Sequence, residues 1–439
     1  MKSHPAYHIA HIPLDRQLLA LPQLTDGDHG HYLVFWWDQM ALGDLYLAPK
    51  EELTSSTYKL KVIEAIRPAV NQYASALGLQ DNWVQWLENG NSADWAAWME
   101  GVFAKTLPKP LPSKVDVSVV ICTRNRSVQL EQCLIRLREL QCLPVEVIVV
   151  DNAPSDNSSQ QVVRRFEEVL YVKEPRAGLD IARNTGVKKA SAPIVAYVDD
   201  DVTVHPLWVY RVWETFQNPE TAAMTGLVIA AELQTEAQFI FEKHWSFNRG
   251  YQGKWYDANF FQKNLALGPP VWEIGAGANM AFRKSVFEEV GYFDELLDVG
   301  AAGCNGDSEM WFRILAQGHT IHYNPKAIVY HEHRKELSGL QKQIFFYMRG
   351  FTTAALLQQE QQQQANYKRR LWRVFPKYYV FLALRGFPRY RYRTSTLWSE
   401  VKGIVSGYRF YLRNREASTS PKQHTAPSKS LKAAIEVTP

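Results

Sequence analysis

The stretch "IVAYVDDDVTVHP" (residues 194–206) places an apolar run directly before Asp199, Asp200 and Asp201. Adjacent carboxylates repel by roughly 1 kcal/mol per pair even in water, and by more in a cleft. A run of this kind reads as a buried strand, so three carboxylates at its end call for a counter-charge. Upstream, "VSVVICT" (117–123), "VEVIVVDN" (145–152) and "LYVKE" (170–174) are similar short apolar runs, separated by segments long enough for crossover helices. Such alternation implies an α/β fold with a parallel sheet covered on both faces. In doubly wound sheets, ligands sit beyond the carboxyl ends of the strands. There this chain puts Thr123, Arg124, Asn125, Asp151, Asn152 and the aspartate triplet.

The chain has 439 residues, 46% hydrophobic and 21% charged, which fits a globular protein of more than one folding unit. A formal charge of +4 is too small to argue for nucleic acid across the whole surface. Cys122, Cys133, Cys142 and Cys304 form no CxxC pair and no zinc-type spacing. The start "MKSHPAYHIAHIPLDRQ" lacks a basic stretch before an apolar core, and no run of about 18 apolar residues occurs. The expectation is a reduced, cytoplasmic chain without a spanning helix; contact with a membrane surface stays open.

Residues 1–107 read as a small α+β unit. "HYLVFWWDQMALGDLYLA" (31–48) reads as two strands around a Gly43-Asp44 turn, followed by a helix from about Thr57 to Leu77. Trp83, Trp86, Trp95 and Trp98 recur at helical spacing and are expected to pack a helix face rather than form a carbohydrate platform. The proline-rich "TLPKPLPSK" (106–114) reads as a linker. After residue 340 comes "LLQQEQQQQ" (356–364), then "YKRRLWRVFPKYYVFLALRGFPRYRYR" (367–393), in which Arg and Lys interleave with aromatics. Residues 341–415 are expected to form a basic helical extension, suited to an anionic membrane surface, to plain packing or, least of the three, to nucleic acid. Residues 416–439 read as a disordered tail.

Grouped carboxylates at a strand end favour Mg²⁺ or Mn²⁺, bound together with substrate phosphates. Strand alternation would put Asp199 and Asp201 on one face, leaving Asp200 free for a ribose or sugar hydroxyl. A second carboxylate cluster lies in "NGDSEMWFRILAQG" (305–318), where Met310, Trp311, Ile314 and Leu315 make an apolar helix stripe. Asp307 falls in the first turn, where the positive helix end favours its ionised form. "IVYHEHR" (328–334) sets His331 and His333 at another apolar strand end. "GAGANM" (275–280) is no dinucleotide fingerprint, and no GxxxxGK[ST] loop exists; its small residues, Gly277 and Asn279 among them, are expected to face the sugar or acceptor.

Five motifs in order carry a resemblance to a known family: "VSVVICTRNR" (117–126), "VEVIVVDNAPSD" (145–156), "EPRAGLDIARNTGVKKASAPIVAYVDDD" (174–201), "GAGANMAFRKSVFEEVGYFDE" (275–295) and "GDSEMWFRILAQGHTIHYNPKAIVYHEHR" (306–334). Over residues 115–340 the chain resembles the family 2 glycosyltransferases of GT-A fold, which use nucleotide sugars. The resemblance implies that Thr123, Arg124 and Asn125 line the nucleotide pocket, that Asp151 meets the base, and that Arg176, Arg183 and Asn184 lie near ribose and diphosphate. It further implies that Asp199 and Asp201 are the metal motif, completed by His331, and that Asp307 is the base of an inverting transfer. The implied partners are a nucleotide-sugar donor and a glycan or lipid-linked acceptor; an anionic membrane surface is left open by the basic extension, and no nucleic-acid partner is expected. The expected location is cytoplasmic, with attachment to the inner face of the cell membrane left open.

Many members of that family carry Glu-Asp where this chain has Gly306-Asp307, which keeps Glu309 as a rival base. Two other readings stay open at this point. One is a nucleotidyltransferase, although "CTRNRS" is not its glycine-rich loop. The other is a nucleotide-sugar-binding scaffold without catalysis.

Overall fold

The computed structural model describes residues 6–17, 28–51, 53–79, 82–104, 106–107 and 110–417. Two sheets organise it. The first holds β1 (Tyr7–Pro13), β2 (Gly30–Trp37) and β3 (Met40–Leu47), in that order. The second holds β4 (Lys114–Thr123), β5 (Leu143–Asn152), β6 (Val169–Glu174), β7 (Ile194–Asp199), β8 (Val202–Val204), β9 (Thr221–Ala230), β10 (Lys254–Tyr256), β11 (Asn279–Arg283) and β12 (Thr320–His331). Its order is β10-β12-β9-β11-β7-β4-β5-β6, with β8 paired to β12. β7, β4, β5 and β6 are parallel, as are β9 and β12; β11 runs antiparallel between the two groups.

The sheet is therefore the mostly parallel, doubly wound α/β sheet expected, with apolar cores on both faces. Its register explains why separate segments converge. Thr123 lies level with Asp151, and Cys122 level with Asp199, so β4, β5 and β7 end on one line. Each strand releases its polar residues where the next helix has yet to cover the sheet.

The N-terminal sheet departs from expectation in its turn. β2 and β3 are joined at Asp38 and Gln39, with Asp38 at φ 47°, and Gly43-Asp44 lies inside β3. Gly43 serves close approach instead: a Cβ there would stand 2.7 Å from the carbonyl carbon of Ala65, in the helix Ser55–Ala76. Trp83 and Trp95 are buried, and Trp83 stacks on Trp98 at 6.3 Å, so the tryptophans pack the helices Trp83–Glu88 and Ser92–Phe103. This N-terminal core is continuous with Leu227, Ile229 and Ile328 of the large sheet.

The C-terminal region is helical, as expected, with helices Leu337–Gln361, Phe375–Gly386 and Leu397–Asn414. Among the described residues no helix is long and apolar enough to cross a membrane. Residues 418–439 of the expected tail, and Pro108 and Lys109 of the expected linker, lie outside the described residues.

Candidate active site

One cleft of about 1420 Å³ opens over the strand ends. Its lining includes Thr123, Arg124, Arg183, Asp199, Asp200, Asp201, Gly277, Asp307 and His331. β4 delivers Thr123, β7 and the turn after it deliver the triplet, β12 delivers His331, and the helix Gly306–Ala316 delivers Asp307 in its first turn.

The triplet is not arranged by simple strand alternation. β7 stops at Asp199, and the chain turns at Asp200 and Asp201. Ligand atoms of Asp199, Asp201 and His331 lie within 4.8 Å of one another. Asp200, expected to be free for a hydroxyl, is turned inward: Thr123 Oγ1 donates to it at 2.7 Å and Arg126 Nη1 at 2.7 Å. The same Arg126 nitrogen donates to Asp201 at 3.0 Å. Asp200 thus anchors the arginine that offsets the triplet's repulsion, a role for which the only sequence signal was one more cation in "CTRNR".

His331 belongs to a chain of polar contacts. Its Nε2 lies 3.8 Å from Asp201 Oδ1, its Nδ1 meets His333 Nδ1 at 3.2 Å, and His333 Nε2 meets Glu242 Oε2 at 2.8 Å. Burial pushes the His331 imidazole down to about 4, against the pull of Asp201, so the ring is neutral at physiological pH. A carboxylate can only accept, so His333 donates to Glu242 from Nε2. A cation at Asp199 and Asp201 needs a lone pair on His331 Nε2, which requires His331 to donate from Nδ1 to His333 Nδ1. This is the outer-shell arrangement that orients metal-binding histidines. Two carboxylates and a neutral imidazole suit Mn²⁺, and Mg²⁺ where phosphate oxygens complete the shell.

Arg183 stands between the two carboxylate groups. It donates to Asp180 at 3.0 Å and feels Asp180, Asp199 and Asp307, in that order of strength. Asp180 is 2% exposed, and burial raises its carboxyl to about 7 despite Arg183. Burial and then the charge of Asp201 also raise Asp199. Asp199, Asp200, Asp201 and Asp307 thus share the cleft with Arg126 and Arg183, while Asp180 lies behind Arg183, outside the lining.

Asp307 is held by backbone: Gly277 N–H donates to Oδ2 at 2.8 Å and Ser308 N–H to Oδ1 at 2.7 Å. Its neighbour Gly306 is required by Asp180. A Cβ at residue 306 would lie 2.5 Å from Asp180 Cγ and 2.6 Å from Oδ1, so the Asp180 carboxylate fills the room a side chain at 306 would need.

Six residues expected at the site are not among those lining the cleft. Asn125 accepts from Ser155 N–H at 3.0 Å and Oγ at 2.9 Å, bracing one strand-end loop against the next. Asp151 is buried beside Tyr171, whose hydroxyl donates to it at 2.8 Å. Arg176 is spent on the surface with Glu174 at 3.3 Å and Glu295 at 3.0 Å. Asn184 clamps the backbone of Phe293 through both its amide nitrogen and oxygen, each at 2.9 Å. Asn279 accepts from Trp208 Nε1 at 2.9 Å and donates to the carbonyls of Leu227 and Ala327. Glu309 is fully buried against Arg313, at 2.8 Å and 3.0 Å, and Arg313 also donates to the carbonyls of Val290, Gly291 and Tyr292. As the rival base, Glu309 is therefore set aside.

Residues 118–291 match the model of glycosyl transferase family 2. Over 241 residues the chain is 26% identical to the pre-mycofactocin glycosyltransferase of Mycobacterium tuberculosis, covering 54% of this chain and 47% of that protein. The match thus spans about half the length of that relative. Over 254 residues it is 26% identical to the glucosyl-dolichyl phosphate glucuronosyltransferase of Haloferax volcanii, covering 53% of this chain and 75% of that one. A solved mannosyltransferase from Pyrobaculum calidifontis, in complex with GDP-Man and Mn²⁺, is similar at 18% identity and a TM-score of 0.39, over 77% of this chain and 85% of that one.

Proposed function

We propose, from the match of residues 118–291 to the model of glycosyl transferase family 2, that the cleft transfers a sugar from a nucleotide-sugar donor to an acceptor hydroxyl with inversion at the anomeric carbon. The observation that carries the reading is the sharing of one cleft by the Asp199–Asp201–His331 cluster, Arg183 and the backbone-held Asp307. Thr123 and Arg124 are assigned to the nucleotide side. A divalent cation bound by Asp199, Asp201 and His331 would supply charge that stabilises the diphosphate leaving group. Arg183, fixed by Asp180, adds a second positive charge that needs no reorganisation during the reaction.

Asp307 is the base. Each of its oxygens accepts one backbone N–H, which fixes the carboxylate and leaves a lone pair on each for the acceptor proton. As the acceptor oxygen bonds to the anomeric carbon, its proton passes to Asp307 and the bond to the diphosphate breaks on the opposite face. The Haloferax relative is named for a glucosyl-dolichyl phosphate, which supports a lipid-linked acceptor here. A cytoplasmic enzyme of envelope polysaccharide or glycolipid synthesis, at the inner face of the cell membrane, is the setting consistent with it.

The test is the thermal shift of the purified chain with UDP, GDP, dTDP and CDP, each with and without Mn²⁺, beside Asp201→Asn. A ligand at about 100 times its dissociation constant adds roughly 2.7 kcal/mol. A metal-dependent shift with one nucleotide, lost in Asp201→Asn, is expected. No shift with any nucleotide in folded protein would overturn the donor-site assignment.

A further inference from the structure

The helix Phe375–Gly386 buries only Leu382 and Gly386, while its solvent side is apolar. Val380 is 60% exposed, Phe381 57% and Leu384 75%, and Phe387 just beyond is 76% exposed. Residues 380 and 384 are one turn apart, and 381 is beside them, so these side chains form one stripe pointing away from the protein. A helix folded only to pack would turn that stripe inward. Trp372 continues it by an edge contact with Tyr408 at 5.1 Å, and Trp398, Val405 and Leu412 are exposed along the helix Leu397–Asn414.

The charge around the stripe is of one sign. Between Glu360 and Glu400 the chain carries nine Lys or Arg and no Asp or Glu. Arg373, Lys377, Arg385, Arg389 and Arg391 are exposed beside the apolar side chains. We propose that the exposed apolar stripe of the helix Phe375–Gly386 and its cationic flanks dock on an anionic lipid bilayer, holding the mouth of the cleft against the membrane. Aliphatic and aromatic side chains enter the acyl boundary while the cations meet the headgroups. A second copy of the chain is the wrong partner, because its matching face would bring the same cations together.

The placement has a consequence for the acceptor. Phe375, Tyr378 and Tyr379 of this helix line the cleft that holds Asp307, so one helix forms both the rim of the site and the docking face. An acceptor carried on a lipid in the bilayer reaches the site past this aromatic rim. This point rests on the glycosyl-transfer reading; the docking surface itself does not.

The test is flotation of the full chain with phosphatidylcholine vesicles, with and without phosphatidylglycerol. The wild type is expected to float with the anionic vesicles, less so as salt rises. Because burying one large apolar side chain favours the bilayer by roughly tenfold or more, Phe381→Ser/Leu384→Ser/Phe387→Ser should lower partition by at least ~100-fold. Lys377→Gln/Arg385→Gln/Arg389→Gln should lower binding to anionic vesicles by ~100-fold, at about fivefold per charge. All six positions are exposed, and circular dichroism checks that each variant is folded. Absence of flotation, equal binding to neutral vesicles, wild-type binding by the apolar variant, or a wild-type dimer that this variant dissolves would overturn the proposal. Asp201→Asn should float as wild type while losing its nucleotide shift, so a failed donor reading and a failed docking reading are told apart.

Discussion

Gly306→Ala tests whether the Asp180 carboxylate occupies the space beside the catalytic helix. The added Cβ would stand 2.5 Å from Asp180 Cγ, where ordinary contact is 3.4–4 Å. The carboxylate must withdraw by about 1 Å, which takes it out of hydrogen-bond range of Arg183 Nη1, now at 3.0 Å. A lost hydrogen bond to a charged group costs about 1.5–3 kcal/mol. Overpacking costs about 1–3 kcal/mol more. The helical preference of Ala over Gly returns up to about 1 kcal/mol. The net loss is about 1.5–6 kcal/mol, read from urea denaturation of the wild type and variant. In an Asp180→Ala background the clash disappears, so Gly306→Ala should then cost less than about 0.5 kcal/mol, a coupling of at least about 1 kcal/mol. Additive effects of the two substitutions, or wild-type stability of Gly306→Ala alone, would refute the reasoning.

Further predictions concern the same site. Burial raises the Asp180 carboxyl from 3.8 to about 7 in the folded chain, so the folded state holds this proton more tightly than the unfolded state. Its contribution to stability is full below pH about 4 and is lost as pH rises through about 7. The stability difference between wild type and Asp180→Asn should therefore fall across that window; a flat difference would contradict the assignment. Glu242→Ala removes the carboxylate that holds His333 behind His331, and should weaken Mn²⁺ by about 10–100-fold. The readout is the Mn²⁺ midpoint of the nucleotide-dependent thermal shift, and an unchanged midpoint counts against the relay. Asp307→Asn should lower transfer by at least about 100-fold while leaving the nucleotide shift intact. Glu309→Gln instead breaks a buried ion pair, at a cost of about 3–5 kcal/mol, and should lower denaturation midpoints while turnover per folded molecule holds.

The sheet and the location of the cleft were legible in the sequence because both are recorded locally. Apolar runs at strand length, interrupted by helical stretches, specify the alternation, and polar residues at the ends of those runs specify the rim. Asp307 was legible for a similar reason: the apolar stripe of Met310, Trp311, Ile314 and Leu315 sets the helix phase, and with it the first turn. The turn between β2 and β3 was misread because Gly43-Asp44 has turn composition. Its glycine answers to Ala65 on a packed helix, not to its sequence neighbours.

Residue types and order along the chain determined which polar groups arrive at the carboxyl edge of the sheet. Only the tertiary structure decided which of them remain available there. Asn184 is consumed by Phe293 and Asn279 by Leu227 and Ala327, through partners distant in sequence. The reason is that buried polar groups must be paired, and the partner that pairs them is chosen by the packing of remote segments. The same packing brought in Arg126, Asp180 and the His333–Glu242 pair, whose importance lies in what they touch.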